Sequence, residues 1–178
     1  MRLDVLTKHE CEKVRLWRNQ ALETLRTPQP LTAEQQEAFY RDVVCNPQSR
    51  HRYWALIGEN GAPLCFMGMG GLTYIQVENR LAEISLILDP EVRGMGLGEQ
   101  AVDLLLAEGF DRMGLKTIFG ECYECNPDGV VFWNKVRDKY SGFSTWLPCR
   151  KFWAGEFHSS LYFSIDANSW REAHHGTA

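Results

Sequence analysis

The sequence lacks the long apolar segments that membrane proteins and secreted precursors carry. None of its 178 residues falls in a run approaching the roughly 18 apolar residues of a transmembrane helix. The first residues, MRLDVLTKHECEKVRLW, also contain no apolar stretch of signal-peptide length. We therefore expect a cytoplasmic protein that does not engage a membrane.

The sequence also lacks any block of basic residues. It has 19 Lys and Arg against 23 Asp and Glu, which gives a formal net charge of −4. Proteins that bind nucleic acid gain most of their affinity by neutralising phosphates with clustered Lys and Arg side chains. The charge pattern therefore argues against a nucleic-acid partner.

Cysteine is too sparse for a disulfide framework, with six residues spread over the chain. Cys122 and Cys125 form a CxxC pair, but neither a second pair nor a histidine at ligand spacing accompanies them. The pattern favours reduced thiols, and we expect no bound metal.

No internal repeat, low-complexity tract or Gly/Ser/Pro linker divides the chain. Its 44% hydrophobic and 24% charged residues are typical of a globular protein. The length matches one domain. We assign this domain to residues 1–170 and treat residues 171–178 as a C-terminal tail.

Hydrophobic periodicity predicts four helices. The first starts at the Thr7 capping box and continues until Pro28, and the second starts at Thr32 and ends before Pro47. The third covers 99–113, with its apolar residues on one face. The fourth begins at the N-cap Asn126 and covers 127–137.

The remaining segments predict strands. They cover 53–57 and 64–75, joined as a hairpin by a Glu59-Asn60-Gly61 turn, and then 80–88, 116–123, 143–152 and 157–165. With one further strand ahead of the first helix, the predicted order is β-α-α-β-β-β-α-β-α-β-β. The strand-helix-strand unit over 80–123 favours parallel pairing. The fold class is α/β, a mixed sheet with helices on both faces.

A glycine-rich turn joins the strand at 80–88 to the third helix. It consists of Arg93, Gly94, Met95, Gly96, Leu97 and Gly98. Such a turn aims several N–H groups at one point, beside a helix N-terminus that favours anions, and so predicts a phosphorylated ligand. It is neither a Walker loop nor a dinucleotide fingerprint, because no Gly-Lys-Ser/Thr follows and Glu99 replaces the third glycine. A glycine-rich connection without a ligand stays open.

Here the residues resemble a known family. Arg93-x-x-Gly96-x-Gly98, after an apolar strand ending in Asp89-Pro90, resembles the acyl-CoA pyrophosphate loop of the GNAT superfamily of N-acetyltransferases. Further matches resemble the branch that holds ribosomal-protein N-terminal acetyltransferases (RimJ/RimL-like) and amino-sugar N-acetyltransferases. These matches are Trp17-Arg18-Asn19, Ala82-Glu83-Ile84, Asn126 and Arg150-x-Phe-x-x-Gly155-x-Phe-His158.

The resemblance implies acetyl-CoA as the cosubstrate. It implies that Leu86-Ile87-Leu88 offers backbone groups to the pantetheine and thioester, with one N–H as an oxyanion donor. It also implies that the Asn126 side chain meets the pantetheine arm, although the same asparagine could be only a helix N-cap.

The resemblance provides two candidates for the general base, Glu83 and Glu121, and we favour Glu83. Either glutamate could instead bind the substrate cation, or be an ordinary strand carboxylate. The family often has a tyrosine as general acid where this sequence has Trp133, whose indole N–H cannot give up a proton at neutral pH. We expect Trp133 to pack beside the cofactor, and coenzyme A to leave unassisted or with help from Tyr123 or water.

The sequence therefore predicts an N-acetyltransferase that acts on a primary amine by direct attack. The acceptor is a small amine, an amino sugar or a protein N-terminus. The alternative is a catalytically degenerate acyl-CoA-binding module with a regulatory or structural role, motivated by Trp133. The acceptor and the oligomeric state, with a homodimer among the options, are not fixed by the sequence.

Overall fold

The computed structural model describes residues 1–59 and 64–175. Its helices are α1 (Lys8–Asn19), α2 (Ala33–Phe39), α3 (Leu97–Ala107), α4 (Pro127–Lys139) and α5 (Ala167–His175). Its strands are β1 (Arg2–Val5), β2 (Arg52–Glu59), β3 (Leu64–Gln76), β4 (Leu81–Leu88), β5 (Thr117–Tyr123), β6 (Phe143–Trp153) and β7 (Glu156–Asp166).

Within the described residues, seven strands form one mixed sheet in the order β1-β2-β3-β4-β5-β7-β6. β4 and β5 pair in parallel, as the strand-helix-strand unit predicts, and the other neighbours pair antiparallel. The strands of the predicted hairpin, β2 and β3, do pair antiparallel. The Asn60 and Gly61 positions of its predicted turn lie outside the described residues. The predicted fold class is confirmed.

Helices cover both faces of the sheet. On one face, Cys11 and Val14 of α1 pack with Ala55 and Met69 of the sheet. On the other face, the apolar side of α3 packs with residues of α4, α5 and the sheet in the largest core cluster. The predicted apolar face of α3 is confirmed, because Val102, Leu105, Leu106 and Phe110 are all buried. After Ala107 the helix widens into one π-turn, Glu108–Arg112.

The first helix ends earlier than the sequence predicts, at Asn19 rather than near Pro28. After it, residues 20–31 fold back in a segment that contains one short 3₁₀ turn. The Asn19 side chain bonds both the N–H and the carbonyl of Leu31, at 2.9 Å each. Arg18 donates to the carbonyls of Thr27 and Gln29. These long-range bonds stop the helix where local periodicity would have continued it.

The C-terminal helix α5 is absent from the sequence prediction. Asp166 caps it by accepting from the N–H groups of Asn168 and Ser169. Trp170 is 3% exposed and packs against Phe110, with ring centroids 5.6 Å apart. The part of the proposed tail that the structure describes, residues 171–175, is therefore the end of a helix. Asp166 followed by Ser169 was the signal that could have revealed it.

Three exclusions drawn from the sequence can be compared with the described part of the chain. All six cysteines are free. The described residues contain no group of three or more His, Cys, Asp or Glu side chains arranged to hold a metal ion. Among the described helices, none has the length and apolar character needed to cross a membrane.

Candidate active site

The parallel strands β4 and β5 diverge, and this divergence creates the site. Within the described residues they pair only at Leu81 with Thr117, Ala82 with Ile118, and Glu83 with Phe119. Beyond Glu83, β4 keeps its pairing with β3 while its other edge is open. Backbone N–H and C=O groups on an open edge need partners. The 84–88 portion of β4 is thus available to an extended ligand that carries amide groups.

A cleft of about 1050 Å³ lies at this opening. Of the residues predicted for the site, those that line it are Glu83, Leu86, Ile87, Leu88, Arg93, Gly94, Gly96, Gly98, Glu121, Asn126 and Trp133. Met95 and Leu97 do not line it. The Met95 side chain is 57% exposed, and Leu97 packs against the cluster of Leu56 and Met67. The structure therefore does not bring Met95 and Leu97 together with the other predicted residues in the cleft.

The glycine turn is shaped to admit a ligand close to its backbone. Gly94 and Gly96 have φ values of +79° and +75°, which favour glycine over every other residue. A Cβ atom at either position would meet nothing within 4 Å, so the space beside this backbone is open. Gly96 is the N-cap of α3 and provides no side-chain cap. The first N–H groups of α3 therefore lack the usual capping side chain and fit an anion.

The third glycine has a packing role instead. A Cβ atom at Gly98 would lie 2.9 Å from the Phe132 ring, so glycine is needed where α3 approaches α4. One residue further, the Glu99 carboxylate would repel an anion, but it pairs with Lys135 at 2.5 Å. Lys135 also lines the cleft. This lysine, which the sequence analysis missed, compensates the charge of Glu99 beside the glycine turn.

Asn126 acts as the N-cap of α4, as predicted. Its Oδ1 accepts from the N–H of Gly129 at 3.1 Å. A Cβ at Gly129 would clash with the Asn126 amide nitrogen, so the glycine makes room for the capping side chain. Asn126 also borders the cleft. The capping role is confirmed, while the pantetheine contact stays a prediction.

Trp133 packs at the side of the cleft. Its ring stacks on Phe163 with centroids 4.7 Å apart and meets Phe132 edge-on at 4.8 Å. These contacts fix the indole between α4 and the sheet. The position usually filled by a tyrosine therefore holds a packing residue in this chain.

The two predicted glutamates lie side by side at the other end of the cleft. Glu83 of β4 is paired with Phe119 of β5, two residues before Glu121, so both carboxylates are on the same face of the sheet. Their side chains are only 12% and 9% exposed. The structure thus brings together two carboxylates that are 38 residues apart in the sequence.

One guanidinium joins the two carboxylates. Arg26 donates to both oxygens of Glu83, at 2.5 and 3.1 Å, and to Glu121 at 3.3 Å. It lies beside Tyr123 as well, and 6.0 Å from the centroid of the Tyr74 ring. The Glu83 contact raises the pKa of Arg26 further above its already high ordinary value. Nothing in the local sequence pattern around Arg26 marks it as a site residue.

The two carboxylates have different surroundings. Glu121 also accepts from Ser160 at 2.6 Å and from Arg150 at 3.0 Å. Burial raises the pKa of Glu121, but Ser160 and Arg150 outweigh this effect and hold it below its ordinary value of 4.5. Among the described residues, the Glu83 carboxylate has no hydrogen-bond partner except Arg26. Glu83 is therefore the carboxylate that loses its partner when Arg26 moves.

A buried lysine holds the 20–31 segment over this end of the cleft. Lys151 is 5% exposed and donates to the carbonyls of Leu22, Glu23 and Leu25, the last at 2.7 Å. The Cys125 thiol bonds the Glu23 carbonyl at 3.1 Å. Burial lowers the pKa of Lys151. These contacts fix the backbone from which Arg26 extends.

Comparison with known proteins agrees with this architecture. The open-edged mixed sheet, with a glycine turn and a carboxylate pair in one cleft, agrees with the class that the family comparison identifies, the GNAT acetyltransferases. The model of the family described as the acetyltransferase (GNAT) domain matches residues 1–130, and the chain belongs to this family. Among curated proteins, no sequence matches the chain significantly.

Solved structures share the fold at low sequence identity. The spermidine N-acetyltransferase from Vibrio cholerae, in complex with CoA and spermine, superposes with a TM-score of 0.81 at 17% identity. That match covers 94% of this chain and 96% of the other. A dodecameric structure of the spermidine N-acetyltransferase from Vibrio cholerae gives a TM-score of 0.76 at 17% identity, covering 94% of each chain.

Proposed function

We propose that this protein transfers the acetyl group of acetyl-CoA to a primary amine by direct attack. The observation that carries the proposal is the cleft itself, which joins a glycine turn that fits an anion to a pair of nearly buried carboxylates. The open edge of β4 lies between them. A long cosubstrate with a phosphorylated end and a reactive end needs this arrangement.

The glycine turn holds the pyrophosphate of acetyl-CoA. The N–H groups at Gly96 and the start of α3 bind its oxygens, with Arg93 as the nearby cation. Backbone groups of 86–88 pair with the pantetheine amides, and one N–H there stabilises the oxyanion. Asn126 contacts the pantetheine arm, and Trp133 forms the side wall. The related structure that contains CoA and spermine in one complex supports a site that holds the cosubstrate and the acceptor together.

The carboxylate end prepares the acceptor. Glu83 takes a proton from the bound ammonium, and the neutral nitrogen attacks the thioester carbonyl carbon. The new C–N bond forms in a tetrahedral oxyanion, and the C–S bond then breaks so that coenzyme A departs as a thiolate. The acetylated nitrogen releases its second proton to the group or water that protonates the thiolate. A free thiol has a pKa of about 8.5, so this leaving group needs little assistance. Its proton comes from Tyr123, which lines the cleft, or from water.

The acceptor is a small amine that is cationic in solution, because two carboxylates and the Tyr74 ring surround its position. The spermine in the related complex supports this choice over the protein N-terminus of the ribosomal-protein branch. Amino sugars share the same ammonium group and stay within the proposal.

A thiol-release assay tests the proposal. Acetyl-CoA is supplied with a panel of alkylamines, polyamines, amino sugars and N-terminal peptides, and the acetylated product is verified by mass spectrometry. We expect thiol release with at least one small cationic amine. Calorimetric binding of acetyl-CoA without thiol release from any member would instead identify the degenerate acyl-CoA-binding module.

A further inference from the structure

Arg26 stands where the acceptor must bind. Its guanidinium contacts Glu83 and Glu121 and lies beside Tyr123, a set that includes the proposed base and the proposed proton donor. A guanidinium has no lone pair to accept a proton and stays charged at every working pH. Arg26 therefore cannot act as the base. Its guanidinium places a permanent positive charge beside the two carboxylates.

The charges around this position are balanced only while Arg26 is present. Glu83 and Glu121 carry two negative charges, and Arg26 and Arg150 carry two positive ones. Among the described residues, removing Arg26 leaves Arg150 as the one ion-pair partner of the two carboxylates, so one negative charge is uncompensated. An incoming ammonium restores the balance, whereas an ammonium and the Arg26 guanidinium together would repel each other at contact distance.

The Arg26 side chain is open to solvent on one side. It is 48% exposed, while the two carboxylates that it bridges are nearly buried. Lys151 fixes the backbone just before Arg26 through its contacts to the carbonyls of Leu22, Glu23 and Leu25. The head group can therefore swing into solvent while the segment beneath it stays in place.

We infer that Arg26 is an internal competitor for the ammonium position of the acceptor site, and that the acceptor binds by exchanging one cation for another. The inference rests on the proposed function and adds a specificity-determining residue to it. A site occupied by its own guanidinium has a reduced apparent affinity, in proportion to the fraction of molecules in which the position is open. Removing the Arg26 head group should therefore tighten acceptor binding.

Two small cations test this exchange without requiring turnover. Ethylguanidinium reproduces the end of the arginine side chain, and ethylammonium reproduces the acceptor head group. Calorimetric titration should show that Arg26→Ala binds both probes. Its affinity for ethylammonium should be roughly fivefold or more above that of wild type, because the ion pair between Arg26 and the carboxylates no longer competes. Arg41→Ala is the matched control, since Arg41 is an exposed arginine paired with Asp42 outside the cleft. It should bind like wild type.

The double variant Arg26→Ala/Glu83→Gln should bind both probes more weakly than Arg26→Ala does. This result would show that the probes bind at the carboxylates. In the thiol-release assay, Arg26→Gln should lower the acceptor KM while the KM for acetyl-CoA is unchanged. Equal ethylammonium affinity in wild type and Arg26→Ala would overturn the inference. Weaker binding to Arg26→Ala would also overturn it, because Arg26 would then be a contact for the acceptor. Absence of thiol release would refute the proposed function, and the titrations would still decide the role of Arg26.

Discussion

Replacing Glu83 by Gln tests the assignment of the general base. The amide keeps the size of the carboxylate and its ability to accept a hydrogen bond from Arg26, but it cannot take a proton from the acceptor. Glu121→Gln is the matched control on the neighbouring strand. It leaves an amide oxygen for Ser160 and Arg150, which hold that side chain in the structure.

The surroundings of the two carboxylates set the expected size of the effect. Once Arg26 is displaced, the Glu83 carboxylate has lost its partner among the described residues, whereas Glu121 keeps two donors and a lowered pKa. A positioned general base contributes roughly 10²–10⁴-fold to turnover, which is about 3–5 kcal/mol of activation free energy. We therefore expect a kcat loss of this size for Glu83→Gln and a much smaller loss for Glu121→Gln.

The assay is thiol release at saturating acetyl-CoA and acceptor, from neutral to alkaline pH. An alkylamine has a pKa near that of lysine, about 10.4, so more of it arrives neutral as the pH rises. The deficit of Glu83→Gln should shrink accordingly. A Glu83→Gln enzyme that keeps its turnover and shows only a raised acceptor KM, constant with pH, would refute the role of Glu83 as base.

Three further predictions concern binding and stability. Acetyl-CoA at 100 times its Kd should stabilise the wild type by about 2.7 kcal/mol and raise its melting temperature. Gly96→Val should abolish this rise. The control Gly114→Val, with a similar φ of +67° and an equally open Cβ position, should keep it. Lys151→Met should reduce the urea-unfolding free energy by about 2–3 kcal/mol, because the carbonyls of the 20–31 segment lose a charged donor; a loss below about 0.5 kcal/mol would contradict the clamp. Because the folded pKa of Glu121 is lowered, its contribution to stability is present above pH 4.5 and is lost as the pH falls through the folded pKa. The unfolding free energy of Glu121→Gln should therefore fall less steeply in acid than that of wild type. Parallel curves of unfolding free energy against pH for the two proteins would contradict this.

The features that follow from local chemistry could be predicted from the sequence. The α3 face and the Asn126 cap depend on residues close together in the chain. The parallel pairing of β4 with β5 follows from the handedness rule for a strand-helix-strand unit, and the structure contains all three features. The glycine turn also belongs to this class. A positive φ is specified by glycine itself, so the pattern around Gly94 and Gly96 indicates both a turn and an open backbone.

Other features were decided only when distant segments met in the tertiary structure. The first helix stops at Asn19 because its side chain bonds Leu31, and no periodicity within the helix encodes that contact. Arg26 reaches Glu83 and Glu121 across 57 and 95 residues of sequence. An isolated arginine in an irregular segment has no characteristic spacing. Its charge acquires a function only through the two buried carboxylates that the diverging strands place beside it.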